Sequence, residues 1–421
     1  MWPRRSFIGA CAAGLAGPAL AQFRVEISGV GATQVPIAIA RFRDEGGAGL
    51  ALSAIVRADL ERSGLFKGID NNATVDERAQ PAMSEWRGRA ADALVGGSVT
   101  RLADGRFDVR FKLWDVVKGA EIGGQSSAVP AGDLRLAAHR IADYVYEKLT
   151  GEKGVFSTRI AYVTKAGNHY TLRIADADGE GAQVALNSPE PIISPAWSPD
   201  GRELAYVSFE GQKAAIWVQD VWSGKRSMVA NFRGSNSAPA WSPDGRQLVA
   251  TLTRDGGSQL YALGRGGNGV TRLTTSSAID TEPVFAPDGK SLYFVSDRGG
   301  GPQIYRMPAG GGAVQRVTFD GGYNISPSIS PDGRMLAYVT RQGGAFKLMV
   351  MDVAGGSAQA VTETTDDESP SFAPNGRMII YATRAQGRDV LMTTTLDGKI
   401  KARLVSSLAD VREPAWGPYG R

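Results

Sequence analysis

The chain has one cysteine and two histidines in 421 residues. Cys11 lies inside an export-type leader, so everything after it is free of thiols, and disulfides, thiolate catalysis and cysteine metal clusters are excluded. Basic and acidic residues nearly balance, 47 against 43, and no run of Lys/Arg stands out, which argues against a nucleic-acid binder. Beyond the leader no stretch is long and apolar enough to cross a bilayer as a helix. No Gly-x-Ser-x-Gly elbow, Walker loop or His-x-x-x-His pair occurs, so neither a catalytic residue, a cofactor nor a metal is expected. His139 falls beside the apolar face of a helix and His169 in a turn between strands, and both are expected to be solvated. Asp176-Ala177-Asp178-Gly179 begins like a calcium loop but lacks the spacing for further ligands, and reads as a hairpin turn. Asp366-Asp367-Glu368 reads as a solvated acidic loop that could meet a cation or a basic partner.

The leader is Met1–Ala21, with Arg4 and Arg5 ahead of an apolar stretch and Ala19-Leu20-Ala21 as a cleavage site. The arginine pair fits twin-arginine export and general secretion equally. Mature protein begins at Gln22 on this reading.

What the chain has in abundance is a repeated phrase. Ser194-Pro195-Ala196-Trp197-Ser198-Pro199-Asp200-Gly201 returns five times in recognisable form, and the second proline of each copy falls at 199, 243, 287, 331, 374 and 418. A period of 44 residues, once 43, in β-type sequence marks propeller blades. Each Pro-Asp-Gly is a tight turn, since proline presets φ, Asp bonds its own backbone and Gly supplies positive φ. Short β runs such as Leu204–Val207, Leu292–Val295 and Leu336–Val339 follow the turns. The last copy ends at the C-terminus, while Ala161-Tyr162-Val163 stands one period before Ala205-Tyr206-Val207. The reading is an all-β six-bladed propeller over 155–421, closed by a blade split between the two ends of the array.

Residues 22–154 read as an α+β domain. Phe23–Ser28 and Pro36–Phe42 are strands, and Leu50–Ser63 is a helix with Leu52, Ile55, Val56 and Leu60 on one face. Ala93–Arg101, Phe107–Val117 and Glu121–Val129 form an antiparallel set. A final helix runs from about Asp133 to Leu149, Gly151 ends it, and 151–154 is the linker.

The variable positions of the repeat lie just before each inner strand. Ser194, Ala238, Glu282, Ser326, Ser369 and Glu413 precede prolines, which should force them towards extended backbone around one mouth of the channel. Ser235, Asn236, Thr281, Asn324, Glu368 and Arg412 are their neighbours. The set is small, polar and mildly acidic: a solvated rim, or a recognition surface on a rigid scaffold.

An exported chain with a small α+β domain ahead of six Pro-Asp-Gly blades resembles the TolB family, periplasmic components of the Tol–Pal system. The resemblance covers essentially the whole mature chain. It implies a non-enzymatic periplasmic adaptor that binds the lipoprotein Pal at the propeller mouth and TolA through the mature N-terminal segment, with other outer-membrane proteins as further partners. On that resemblance the Pal surface maps to the twelve mouth positions above, and the TolA segment to about 22–33, where Phe23-Arg24-Val25-Glu26-Ile27 alternates as a strand should. Family members often carry histidine where this chain has Ser235. The competing reading is an enzyme, a propeller lyase, lactonase or peptidase fragment, which needs a metal or acid–base cluster in the channel.

Overall fold

A computed structural model of the chain describes residues 34–404 and 409–420. The leader and the expected TolA segment, Phe23, Arg24, Val25, Glu26 and Ile27 included, lie outside the described residues.

The N-terminal region is a five-stranded sheet in the order β2-β1-β3-β4-β5, with β1 at Val35–Ile39, β2 at Phe66–Gly68, β3 at Ala93–Arg101, β4 at Phe107–Asp115 and β5 at Ala120–Val129. The β1 strand runs parallel to both neighbours, and β3, β4 and β5 alternate as expected for hairpins. Helices α1 (Leu52–Arg62) and α3 (Leu134–Thr150) bury Leu52, Val56, Leu60, Ala138, Ile141 and Val145 against one face. The short α2 (Met83–Gly88) places Trp86 in a second core with Leu94 and Trp114. Gly151 ends α3 at φ 77°, a left-handed value glycine adopts at little cost.

The expected linker is not loose. Glu152 pairs with Arg377, and Gly154 sits so close to Asp143 that any side chain would collide with it. Phe156 belongs to the N-terminal core and Val155 to a propeller core. The chain therefore changes partners within one residue.

Six four-stranded sheets follow. In the first blade β6 (Arg159–Ala166), β7 (His169–Asp176) and β8 (Gln183–Ser188) receive their innermost strand from Asp410–Trp416, which pairs antiparallel with β6. The inner strands of the other blades are β9 (Ile192–Trp197), then Asn236–Trp241, Asp280–Phe285, Asn324–Ile329 and Glu368–Phe372. A hydrophobic cluster fills the space between each pair of neighbouring blades, so the six cores form a circuit. Burial on this scale is the dominant favourable term.

The repeat chemistry locks the blades to one another. The indole N–H of Trp241 donates to the Ala196 carbonyl of the preceding blade at 3.1 Å, and Trp197 donates to Ala415 at 3.1 Å. Ser198 and Ser242 hold the turn aspartates at 2.7 and 2.6 Å and also accept the N–H five residues on. Gly201 has φ 68°, and a side chain there would come within 3.3 Å of Pro418 on the neighbouring blade. Glycine meets both demands at little cost.

Candidate functional site

The six inner strands enclose a central cavity of about 660 Å³. Proline follows the second or third residue of each inner strand in five blades and the fourth in the closing one, so the strands begin before the proline and not at it. At Ser194, Ala238, Glu282, Ser326, Ser369 and Glu413 the expectation of extended backbone fails. All six have φ between 47° and 54°. Each coincides with a break in register against the second strand of its blade. The proline ring disfavours the right-handed helical region at the preceding residue. An extra residue must still be absorbed there, and a β-bulge in left-handed backbone absorbs it. Non-glycine residues pay about 1–2 kcal/mol each for that conformation. Six such positions in one ring are strain concentrated at a single place.

All six line the cavity. Four carry small side chains, Ser194, Ala238, Ser326 and Ser369, and two are acids, Glu282 and Glu413. The acids stand three blades apart, on opposite sides of the ring. Each reaches to the next blade: Glu282 accepts the Ser326 N–H at 2.6 Å and Glu413 accepts the Ser194 N–H at 3.0 Å. Burial raises both carboxyls above their usual range, although the Ser N–H groups favour the charged form. Burial also pushes Glu368 up to about 7, reinforced by the Glu413 charge, while Arg412 opposes the shift.

The neighbouring positions divide into two kinds. Ser235 and Arg412 are exposed at the mouth, and Thr281 and Glu368 are half-buried. Arg412 is held by Asp389. Asn236 and Asn324, in contrast, have no exposed surface. Asn236 Nδ2 donates to the Ala214 and Phe232 carbonyls at 3.0 Å, and its Oδ1 accepts the Phe232 N–H at 2.8 Å. Asn324 donates to Gln303 and to the Asp320 carbonyl, each at 2.8 Å. Their side chains shape the mouth loops from beneath rather than facing outward.

Two further residues share this duty. Asp280 is fully buried and takes both Arg298 Nη2 contacts, at 2.9 and 3.0 Å. Asp367, read from sequence as part of a solvated acidic loop, is 2% exposed and accepts from the Leu348 N–H at 3.0 Å and Thr383 at 2.7 Å, with Thr362 also bonded. Asn236, Asp280, Asn324 and Asp367 recur at the blade period. That periodicity of a polar residue at, or directly before, the start of the inner strand was the signal available for them.

The histidine expectation is corrected as well. His139 is fully buried, its Nδ1 2.6 Å from Asp59, because the propeller covers the flank of α3 that it occupies. Asp176-Ala177-Asp178-Gly179 is the turn between β7 and β8, as expected, but its two carboxylates pair with Arg135 across the boundary between the two regions.

Comparison with known proteins bears on the whole chain. The family described as the TolB amino-terminal domain matches residues 23–122, and that described as the TolB beta propeller domain matches 146–420. The chain is 69% identical over 419 residues, 99% of its length and 98% of the relative's, to the Tol-Pal system protein TolB of Polaromonas sp. strain JS666. It is 55% identical to the protein of the same name from Dechloromonas aromatica over 234 residues, 55% of each chain. The crystal structure of TolB from Acinetobacter baumannii superposes with a TM-score of 0.87 at 41% identity, covering 94% of this chain and all of that one, 100%. A chain of a nidogen/laminin complex, 13% identical over 62% of this chain and 98% of its own with a TM-score of 0.52, shares the fold alone. The chain belongs to the TolB family, components of the Tol–Pal envelope system and not enzymes.

Proposed function

We propose that this protein is a periplasmic adaptor that binds the lipoprotein Pal at the bulged mouth of its propeller and TolA through residues 22–33. In this role it supports outer-membrane integrity and constriction during division. The observation that carries the reading is the ring of six left-handed bulges. Strained backbone of this kind persists where surrounding structure over-determines it, and it clusters at binding sites. A ring held rigid by its blades loses little conformational entropy when a folded partner docks, which favours affinity.

Small side chains at four of the six positions let a partner approach the backbone closely. Ser235, Thr281, Glu368 and Arg412 supply polar contacts around them, and Asn236 and Asn324 contribute by fixing the loops on which those residues sit. Glu282 and Glu413 offer acceptors to a partner's donors from opposite sides. The N-terminal residues 22–33 would add a strand to a TolA sheet, where main-chain hydrogen bonds give affinity and alternate side chains specificity.

The test uses mature protein with and without residues 22–33, titrated calorimetrically with soluble Pal and with the C-terminal part of TolA. The deletion should abolish TolA binding and leave Pal binding and the propeller's melting temperature unchanged. Unchanged TolA affinity places that contact elsewhere. Failure of the full mature protein to bind Pal refutes the adaptor reading of the mouth.

A further inference from the structure

The N-terminal region and the propeller meet through a cluster of six charged side chains, of which Asp59, Arg62, His139 and Asp178 are buried and Arg135 and Asp176 partly exposed. From α1 come Asp59 and Arg62, from α3 Arg135 and His139, and from the β7–β8 turn Asp176 and Asp178. Asp59 holds His139 Nδ1 at 2.6 Å and Arg62 Nη2 at 2.8 Å. Arg135 reaches Asp176 at 3.3 Å and Asp178 at 2.5 Å. His139 Nε2 points at the same two carboxylates from 3.6 and 3.7 Å, an ion-pair distance but too long for a hydrogen bond. It has no hydrogen-bond partner, and neither have Arg62 Nε and Nη1. Asp143, one turn along α3 from His139, is occupied by the N–H groups of Phe156 and Ser157.

Three carboxylates face three cations, and the count balances only while the imidazole carries its proton. Burial alone would lower the imidazole's pKa, but the Asp59 charge, with Asp176 and Asp178, outweighs it and pushes the group up to about 10. Asp59, His139 and Asp178 also lie close enough together, within 4.8 Å, to hold a metal ion. Arg62 and Arg135 already neutralise those carboxylates, and a dication would bring like charge into the same dry space.

Where the chain itself crosses the boundary, Phe156 is buried in the N-terminal core and its N–H and that of Ser157 bond Asp143; the remaining contacts among the described residues are slighter. Glu152 pairs with Arg377 in an exposed position, the Lys153 carbonyl accepts from Asn375 at 3.4 Å and Tyr419 at 3.5 Å, and Ile400 lies against Gly64. We propose that the six-residue cluster is an ionic lock that holds the N-terminal sheet at one orientation on the propeller, with His139 as its pin and residues 151–154 as the hinge. A buried ion pair that loses one partner leaves an uncompensated charge that is costly to keep dry. Opening the boundary to water relieves that cost, and hinge motion about a few residues is the usual way to do so. The lock is therefore either complete or open.

The test is limited proteolysis at 151–154 with small-angle scattering on the mature chain. His139→Gln leaves the cluster one negative charge in excess, and Asp178→Asn leaves it one positive charge in excess. Each should raise cleavage about tenfold or more, in proportion to the open population, and enlarge the maximum dimension, with the propeller melting unchanged. The double variant His139→Gln/Asp178→Asn is neutral again and should recover most of the protection. Arg135→Gln, on a partly exposed side chain, gives the same deficit as His139→Gln and stands in for it if that variant does not fold. Wild-type cleavage in the single variants would overturn the lock. So would a double variant more labile than either, which marks simple loss of contacts, or a stoichiometric metal in the purified wild type.

Discussion

The two ends of each inner strand are built from the same repeat and do opposite things. At the Pro-Asp-Gly end, side chains reach sideways into the preceding blade, Trp241 to Ala196 and Trp197 to Ala415, while Trp416 donates to Thr158 Oγ1 at 2.9 Å and ties the closing strand to its own blade. At the bulged end the backbone is turned into left-handed values and the side chains are short, with two acids whose carboxyls burial has raised. One end holds the ring shut, and the other presents a strained surface. Sequence repetition thus conserves a scaffold while concentrating variation at one mouth.

The largest loss is expected at the closing strand. Deleting residues 413–421 removes part of the strand paired with β6, together with Trp416 from the core between the last blade and the first. The truncated protein should be insoluble or rapidly proteolysed. A soluble form melting at the wild-type temperature would show that the ring does not depend on this strand. Trp416→Ala alone should cost about 3–5 kcal/mol by chemical denaturation. Ser369→Ala at the opposite end should lie within about 0.5 kcal/mol of wild type. Similar losses at both ends would erase the distinction.

Much of this was legible in the sequence. The period gave the blades, Pro-Asp-Gly gave the turns, and apolar spacing gave α1 and α3, because these signals are local and repeated. The three-residue β2 and six-residue α2 are too short to show a period. The left-handed ring was not legible, since proline's local effect on its neighbour argues for extended backbone and only the pairing with the second strand imposes the bulge. His139 was misread for a related reason. Its burial depends on Asp176 and Asp178, which no helical pattern around His139 encodes.

A smaller effect is expected from the acids of the bulged end. Glu368 is raised from 4.5 to about 7, so the folded state binds its proton more tightly than the unfolded state. Stability from this group is intact below pH 4.5 and falls as pH rises towards 7. Glu368→Gln should therefore stabilise the protein at pH 8, by about 1–2 kcal/mol, and have no effect at pH 4. Stabilisation of equal size at both pH values would mean that the charge is not the cause. A small effect, opposite in sign to the loss at Trp416, is expected at the strained ring itself. Ala238 has φ 47°, and Ala238→Gly trades left-handed strain of about 1–2 kcal/mol against glycine's entropy of roughly 0.5–1 kcal/mol. A net gain of about 0.5–1 kcal/mol in urea unfolding is expected, and a net loss would mean that the ring is relaxed.

Calorimetric titration of Ala238→Trp with soluble Pal decides whether Pal docks at the bulged mouth. Ala238 lines the cavity with a single methyl group, so an indole there fills the approach without touching the indole contacts at the far end of the strand. The variant should fold, and its affinity for Pal should fall by about 2 kcal/mol or more, as for a central contact. Wild-type affinity in a folded Ala238→Trp protein would contradict docking at the mouth.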